Sequence, residues 1–305
     1  MSLVVVGSVA YDGVQTPYGR RERMLGGACT YVALAASYFT EVGVVGVVGE
    51  DFDPADRRFL EEHGVDLSGL EQAPGKTFYW SGVYSEDMNE RVTLRTELNV
   101  FAAFRPQLPA HYRSRPYLFL GNIQPSLQRE VQAQMHAPRL VGGDTMNYWI
   151  ENQRDQLLAT LAGWSVLLIN DSEVRLLSGE RNLRKAAEKI RALGPRILVI
   201  KRGEYGALLF TDDGPFLAPA YLLETVRDPT GAGDCFAGGF FGYLAEQGAE
   251  PDQTGIEARL LRRAVIYGSV MGSFCCEQFG VDRFRTLTRK EIDARFQEFK
   301  ALTEF

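Results

Sequence analysis

Seven short apolar runs recur along this chain: LVVVGSV (3–9), VGVVGVV (42–48), YLFLG (117–121), RLVGGD (139–144), SVLLIN (165–170), RILVIK (196–201) and GALLF (206–210). Each is too short for a buried helix and rich in β-branched residues, the pattern of a strand. A strand that is apolar at consecutive positions must bury both faces, which suits a parallel sheet covered by helices on each side. Amphipathic stretches at 53–63, 126–136, 151–163 and 182–193 separate the runs and are long enough to cross over between parallel strands. The pattern predicts a doubly wound α/β fold, a mostly parallel sheet sandwiched by helices.

One segment departs from it. TFYWSGVYSEDMNERVTLRTELNVFAAF (77–104) alternates aromatic or β-branched residues with polar ones around the turn-like SEDMNE. Alternation at period two implies a sheet with one exposed face. We read 77–104 as a β lid, with DGVQTPYGRRERM (12–24) as its partner, inside a single domain spanning 1–305.

Bulk properties narrow the partners. With 45% hydrophobic and 24% charged residues the chain is of ordinary globular composition. A net charge of −6 and a pI near 5.3 argue against nucleic acid, whose binding draws on clustered cations. Nothing approaches a membrane span, the N-terminus reads as a first strand and not a signal peptide, and Cys29, Cys235, Cys275 and Cys276 lack metal-ligand spacing. Buried thiols in a reducing, cytoplasmic setting and a small-molecule substrate are the expectation.

Phosphate motifs come next. In GLEQAPGKT (69–77), Gly69 stands one position too early for a P-loop, and Lys76-Thr77 leads into the alternating strand. GAGDCFAG (231–238) fails the dinucleotide fingerprint because Phe236 occupies the third glycine position. What remains is Gly231, Ala232 and Gly233 opening a helix over 232–247, with Asp234 in its first turn. Free amides at a helix start converge on an oxyanion, yet a carboxylate there is equally explained as a complement to the helix dipole.

The run DPTGAGDCFAGGFFGYL (228–244) resembles the signature of the ribokinase-like (PfkB) carbohydrate kinases, an Asp-Thr-x-Gly-Ala-Gly-Asp run followed by a small, Gly-rich helix. The likeness extends to GSVAYDGV (7–14), GGACTYVALAASYF (26–39), NDSEVRLLSG (170–179) and VIKRGEYGALLF (199–210), in family order. It implies a kinase that moves the γ-phosphoryl group of ATP to a primary alcohol of a sugar, cyclitol or nucleoside, with Mg²⁺. Asp234 would be the base and the amides of Gly231, Ala232 and Gly233 the anion hole. Asp12, Gly26, Gly27 and Tyr31 would hold the acceptor; Asn170, Lys201, Gly203 and Gly206 the nucleotide; Glu173 the Mg²⁺ through water.

Asp228 matches a position near a monovalent cation (K⁺) site, but Pro229 stands where the family usually has Thr, which counts against cation activation. Tyr31 stands where many members carry Asn, so the expected acceptor has an apolar or ring face to lie on that phenol. Tyr11 beside Asp12 either adds to this surface or faces the core. Asp144 and Asn147 at a strand end, and small residues in 267–280, are further candidates for the cleft and the adenine site. A homodimer through the lid is expected. The competing readings are a kinase for a vitamin-like hydroxymethyl compound and a catalytically silent sugar- or nucleotide-binding sensor; on residue chemistry alone, Asp12 also serves as a turn residue, and Asn170 and Glu173 as a helix cap.

Overall fold

A computed structural model describes residues 1–251 and 255–304. Among them are thirteen strands: β1 (Ser2–Val6), β2 (Ala10–Thr16), β3 (Gly19–Gly26), β4 (Glu41–Val48), β5 (Val65–Gln72), β6 (Phe78–Tyr84), β7 (Arg91–Glu97), β8 (Tyr117–Leu120), β9 (Leu140–Gly143), β10 (Val166–Asn170), β11 (Ile197–Lys201), β12 (Ala207–Thr211) and β13 (Gly214–Ala218). Nine form one sheet in the order β13-β12-β11-β10-β9-β8-β1-β4-β5, parallel from β11 to β5 with an antiparallel edge of β12 and β13.

The apolar runs have the burial they call for. Alternate residues of one strand enter two separate cores: Leu3 and Val5 join helices Ala28–Ser37, Ala232–Glu246 and Ala258–Cys276, while Val4 and Val6 join helices Pro125–Gln134, Arg154–Leu161 and Leu183–Arg191. Helix Ala232–Glu246 is buried from Cys235 to Ala245, and its glycines let neighbouring backbones close in. A Cβ at Gly239 would lie 2.6 Å from the Tyr267 carbonyl oxygen, so Gly-rich composition here is a packing requirement.

Chain order reverses at β1. The chain goes from β1 outward to β4 and β5, then returns to β8 on the other side. Connections diverge at such a switch point and leave a crevice at the strands' carboxyl ends, the place where open α/β sheets bind ligands.

The remaining strands form a second sheet, β3-β2-β6-β7, with β2 parallel to β6. Its segments correspond to the two stretches read as a lid, except that Asn99–Ala103 closes as a 3₁₀ turn instead of continuing the strand. Two other differences have plain causes. The segment 151–163 is not one helix but two, Asn147–Asn152 and Arg154–Leu161, broken at Gln153. β5, which contains Gly69 of the P-loop lookalike, escapes a search for apolar runs because it is an edge strand with exposed Ser68, Glu71 and Gln72.

Candidate active site

Gly231 begins the site. It caps helix Ala232–Glu246 in the left-handed conformation, φ 78°, and a Cβ there would sit 2.5 Å from the Tyr31 ring. Only glycine satisfies both demands. The Ala232 amide donates to the Pro229 carbonyl at 3.1 Å, and the turn leaves the Gly233 and Asp234 amides without a backbone partner at the crevice, with half-buried Asp234 in the first turn. Burial raises the Asp234 carboxyl above the usual carboxylate range, and the charges of Lys201 and then Arg91 pull it back.

Lys201, at the end of β11, donates from Nζ to the Gly233 carbonyl at 3.3 Å. Asp144 follows β9 and is buried among the same groups; burial first, then the Asp234 charge, pushes its pKa well up, and its Oδ1 has no hydrogen-bond partner. Asn147 is exposed and stands apart.

Asp12 approaches from the other side. It lies on β2 of the small sheet, not on the first strand of the large one, and is 5% exposed. Its carboxylate presses on Gly26, where a Cβ would lie 2.5 Å from Asp12 Cγ, and accepts the Gly27 amide. Burial, then the charge of Asp228, lift it to about 7. Tyr11 is resolved in favour of the core side: its hydroxyl donates to Asp56 (3.0 Å) and accepts from the Asp53 amide (2.8 Å).

One expectation needs correction, and two other positions have contacts of their own. Tyr31 is 1% exposed, its ring covered by Gly231, so it is no surface for a substrate to lie on; it packs beneath the glycine turn that opens helix Ala232–Glu246. Asn170 and Glu173 form a capping box for helix Asp171–Ser178: Asn170 Oδ1 accepts the Glu173 amide at 2.8 Å, and Glu173 Oε2 accepts the Asn170 amide at 3.1 Å. The cap uses Asn170 through Oδ1 and Glu173 through Oε2, and leaves Glu173 Oε1 free beside the crevice. Asp228 is fully buried; its oxygens accept the Thr230 and Gly280 amides, each at 2.9 Å, and the Thr230 carbonyl accepts the Cys275 thiol at 3.3 Å. These contacts hold the Asp228 carboxylate within the protein.

Beyond the anion hole opens a cavity of about 410 Å³, within the range of small-molecule sites. Lys201, Gly203 and Gly206 line it, as do Ser269, Gly272, Ser273 and Cys276 of the small-residue segment. The lid turn closes its mouth through Asp87, Met88 and Asn89, and Asn89 Nδ2 donates to Glu204 at 3.0 Å.

No sequence motif marks two inward-facing lid residues, Trp80 and Arg91. Paired residues in a sheet share a face. Asp12 pairs with Trp80, Tyr84 pairs with Arg91, and Trp80 Nε1 donates to Thr93 of the neighbouring strand at 3.3 Å. Tyr84 Oη accepts from Thr230 Oγ1 at 3.1 Å, which turns this face toward the anion-hole loop. Only the register of the small sheet could have found them.

A doubly wound sheet, a glycine-capped helix with Asp234 in its first turn, and a small sheet beside them make up the candidate site. The sequence profile described as pfkB family carbohydrate kinase matches residues 2–286, and the chain belongs to that family and is a kinase. Among its relatives, the cytidine kinase of Thermococcus kodakarensis is 32% identical over 251 residues, 80% of this chain and 88% of that protein. The nucleoside kinase of Methanocaldococcus jannaschii shares the fold with a TM-score of 0.76 at 18% identity, covering 97% of this chain and 98% of that one. Aminoimidazole riboside kinase from Salmonella enterica, solved with aminoimidazole riboside and an ATP analogue, superposes with a TM-score of 0.73 at 19% identity, over 97% and 100% of the two chains.

Proposed function

We propose that this kinase phosphorylates the primary hydroxyl of a nucleoside, using ATP and Mg²⁺. The observation that carries the reading is Trp80, a half-buried indole in register with Asp12 on the inner face of the small sheet. Asp12 would accept hydrogen bonds from vicinal ribose hydroxyls while the indole stacks on the base. The likeness to cytidine kinase over most of the chain supports the same choice. A free sugar has no base to stack on that indole.

The nucleotide would occupy the cavity beside Lys201 and Gly203, its γ-phosphoryl group over the free amides of Gly233 and Asp234. Asp234 takes the proton from the acceptor hydroxyl as its oxygen bonds to the γ-phosphorus and the bond from that phosphorus to the bridging oxygen breaks, releasing ADP. The unpartnered Asp144 Oδ1 and the free Glu173 oxygen suit a cation whose other ligands are water and phosphate, so these two would hold Mg²⁺, which would neutralise phosphate charge. Val92 and Leu94, each 63% exposed on β7, form the surface through which two copies would pair.

The test is kcat/KM across cytidine, other nucleosides, ribose and a cyclitol, for wild type and Trp80→Ala. We expect nucleosides to lead and the variant to lose about 1–3 kcal/mol of discrimination, the usual worth of base stacking on an aromatic residue. Preference for free ribose in the wild type would overturn the nucleoside reading.

A further inference from the structure

We infer that Arg91, brought in by the lid, is a second cation for the transferred phosphoryl group, acting opposite Lys201. Its side chain begins where β7 pairs with Tyr84 and lies on the inner face, with the guanidinium 5.4 Å from the Trp80 ring centroid. Tyr84 in turn accepts from Thr230, the residue before Gly231. The guanidinium therefore stands over the loop that forms the anion hole.

Arg91 has no ion-pair partner among the described residues, unlike Arg23, Arg95 and Arg115 around it in sequence or fold, and it remains open to the cleft. Asp12 on β2, Asp234 on helix Ala232–Glu246 and Glu173 on helix Asp171–Ser178 all feel its charge. Lys201, at the end of β11, acts on Asp234 and Glu173 from the floor of the cleft. An unpaired arginine held among acids, next to empty helix amides, suits an anion that arrives with its own charge. A phosphoryl group between the amides, Lys201 and Arg91 supplies it. Because Arg91 belongs to the lid and Lys201 to the floor, closure completes the charge arrangement, and an open lid leaves it incomplete.

This rests on the phosphotransfer reading of the cleft but not on the identity of the acceptor. The experiment compares wild type, Arg91→Gln and Arg91→Lys with whichever acceptor the wild type turns over best, and measures binding of ADP with and without fluoroaluminate, a mimic of the phosphoryl group in flight. For Arg91→Gln we expect kcat to fall about 10²-fold, in keeping with loss of one charge-stabilising donor. ADP affinity should change less than threefold, while the gain from fluoroaluminate largely disappears. The acid limb of kcat/KM should move to higher pH, because Asp234 and Asp12 lose a neighbouring positive charge. Arg91→Lys should retain the limb and recover only part of kcat. If Arg91→Gln raises KM for the acceptor with kcat, the fluoroaluminate gain and the pH limb unchanged, Arg91 merely braces the lid and the inference fails. Wild-type inactivity on every acceptor, with fluoroaluminate still adding affinity through Arg91, would overturn the substrate reading and leave this one standing.

Discussion

At the scale of single residues, the site gathers carboxyl groups whose burial resists ionisation, Asp234, Asp144 and Asp12. Asp234→Asn keeps the helix start and its amides but cannot take a proton, so kcat should drop roughly 10²–10⁴-fold with ADP binding preserved; kinetics and calorimetry on one preparation check both halves. Asp12 carries a linked cost. Its carboxyl titrates at about 7 in the fold against 3.8 in an unfolded chain, so the folded protein holds the extra proton between those values. The stability associated with that proton is fully present below pH 3.8 and is lost as pH rises through 7. Asp12→Asn removes the dependence. Its melting temperature should gain on wild type steadily from pH 4 to 7 and then hold a constant lead, while acceptor binding weakens. A constant difference across that range would mean Asp12 is not strained by burial.

At the scale of elements, the lid works through a few contacts at its tip and base. Asn89 and Glu204 link the β6–β7 turn to the 3₁₀ turn Gly203–Tyr205 across the cavity mouth. Asn89→Ala should loosen that closure, raising KM for ATP several-fold and increasing hydrolysis of ATP to water relative to transfer, because a closed lid excludes water. Measuring ADP and phosphorylated acceptor in one reaction gives the ratio, and an unchanged ratio would place closure elsewhere. The opposite element is rigid. Tyr31 under Gly231 fills a fully buried position, so Tyr31→Asn should cost about 3–5 kcal/mol of stability, as for removal of a core aromatic ring, and chemical denaturation reads it directly. Such a loss would separate its supporting role from the substrate contact that its place in the sequence suggested.

At the scale of the whole molecule, the exposed Val92 and Leu94 mark the outer side of the same sheet whose inner side holds Trp80 and Arg91. A second copy on that side would link pairing to lid position. Sedimentation should therefore show dimers, and Val92→Glu with Leu94→Glu should give monomers; monomeric wild type at high concentration would dismiss the pairing. The sequence by itself determined the large sheet, because strands buried on both faces must be apolar at consecutive positions, and it determined the glycine-capped helix and Asp234, because that chemistry is local to seven residues. It also marked Asp12 and the lid segments. Only the tertiary structure decided that Asp12 belongs to the second sheet, that Tyr31 is covered, that Asn170 caps a helix, and that Trp80 and Arg91 face inward. Those outcomes depend on strand register and on contacts between residues far apart in the chain, such as Tyr84 with Thr230, and no local pattern encodes either.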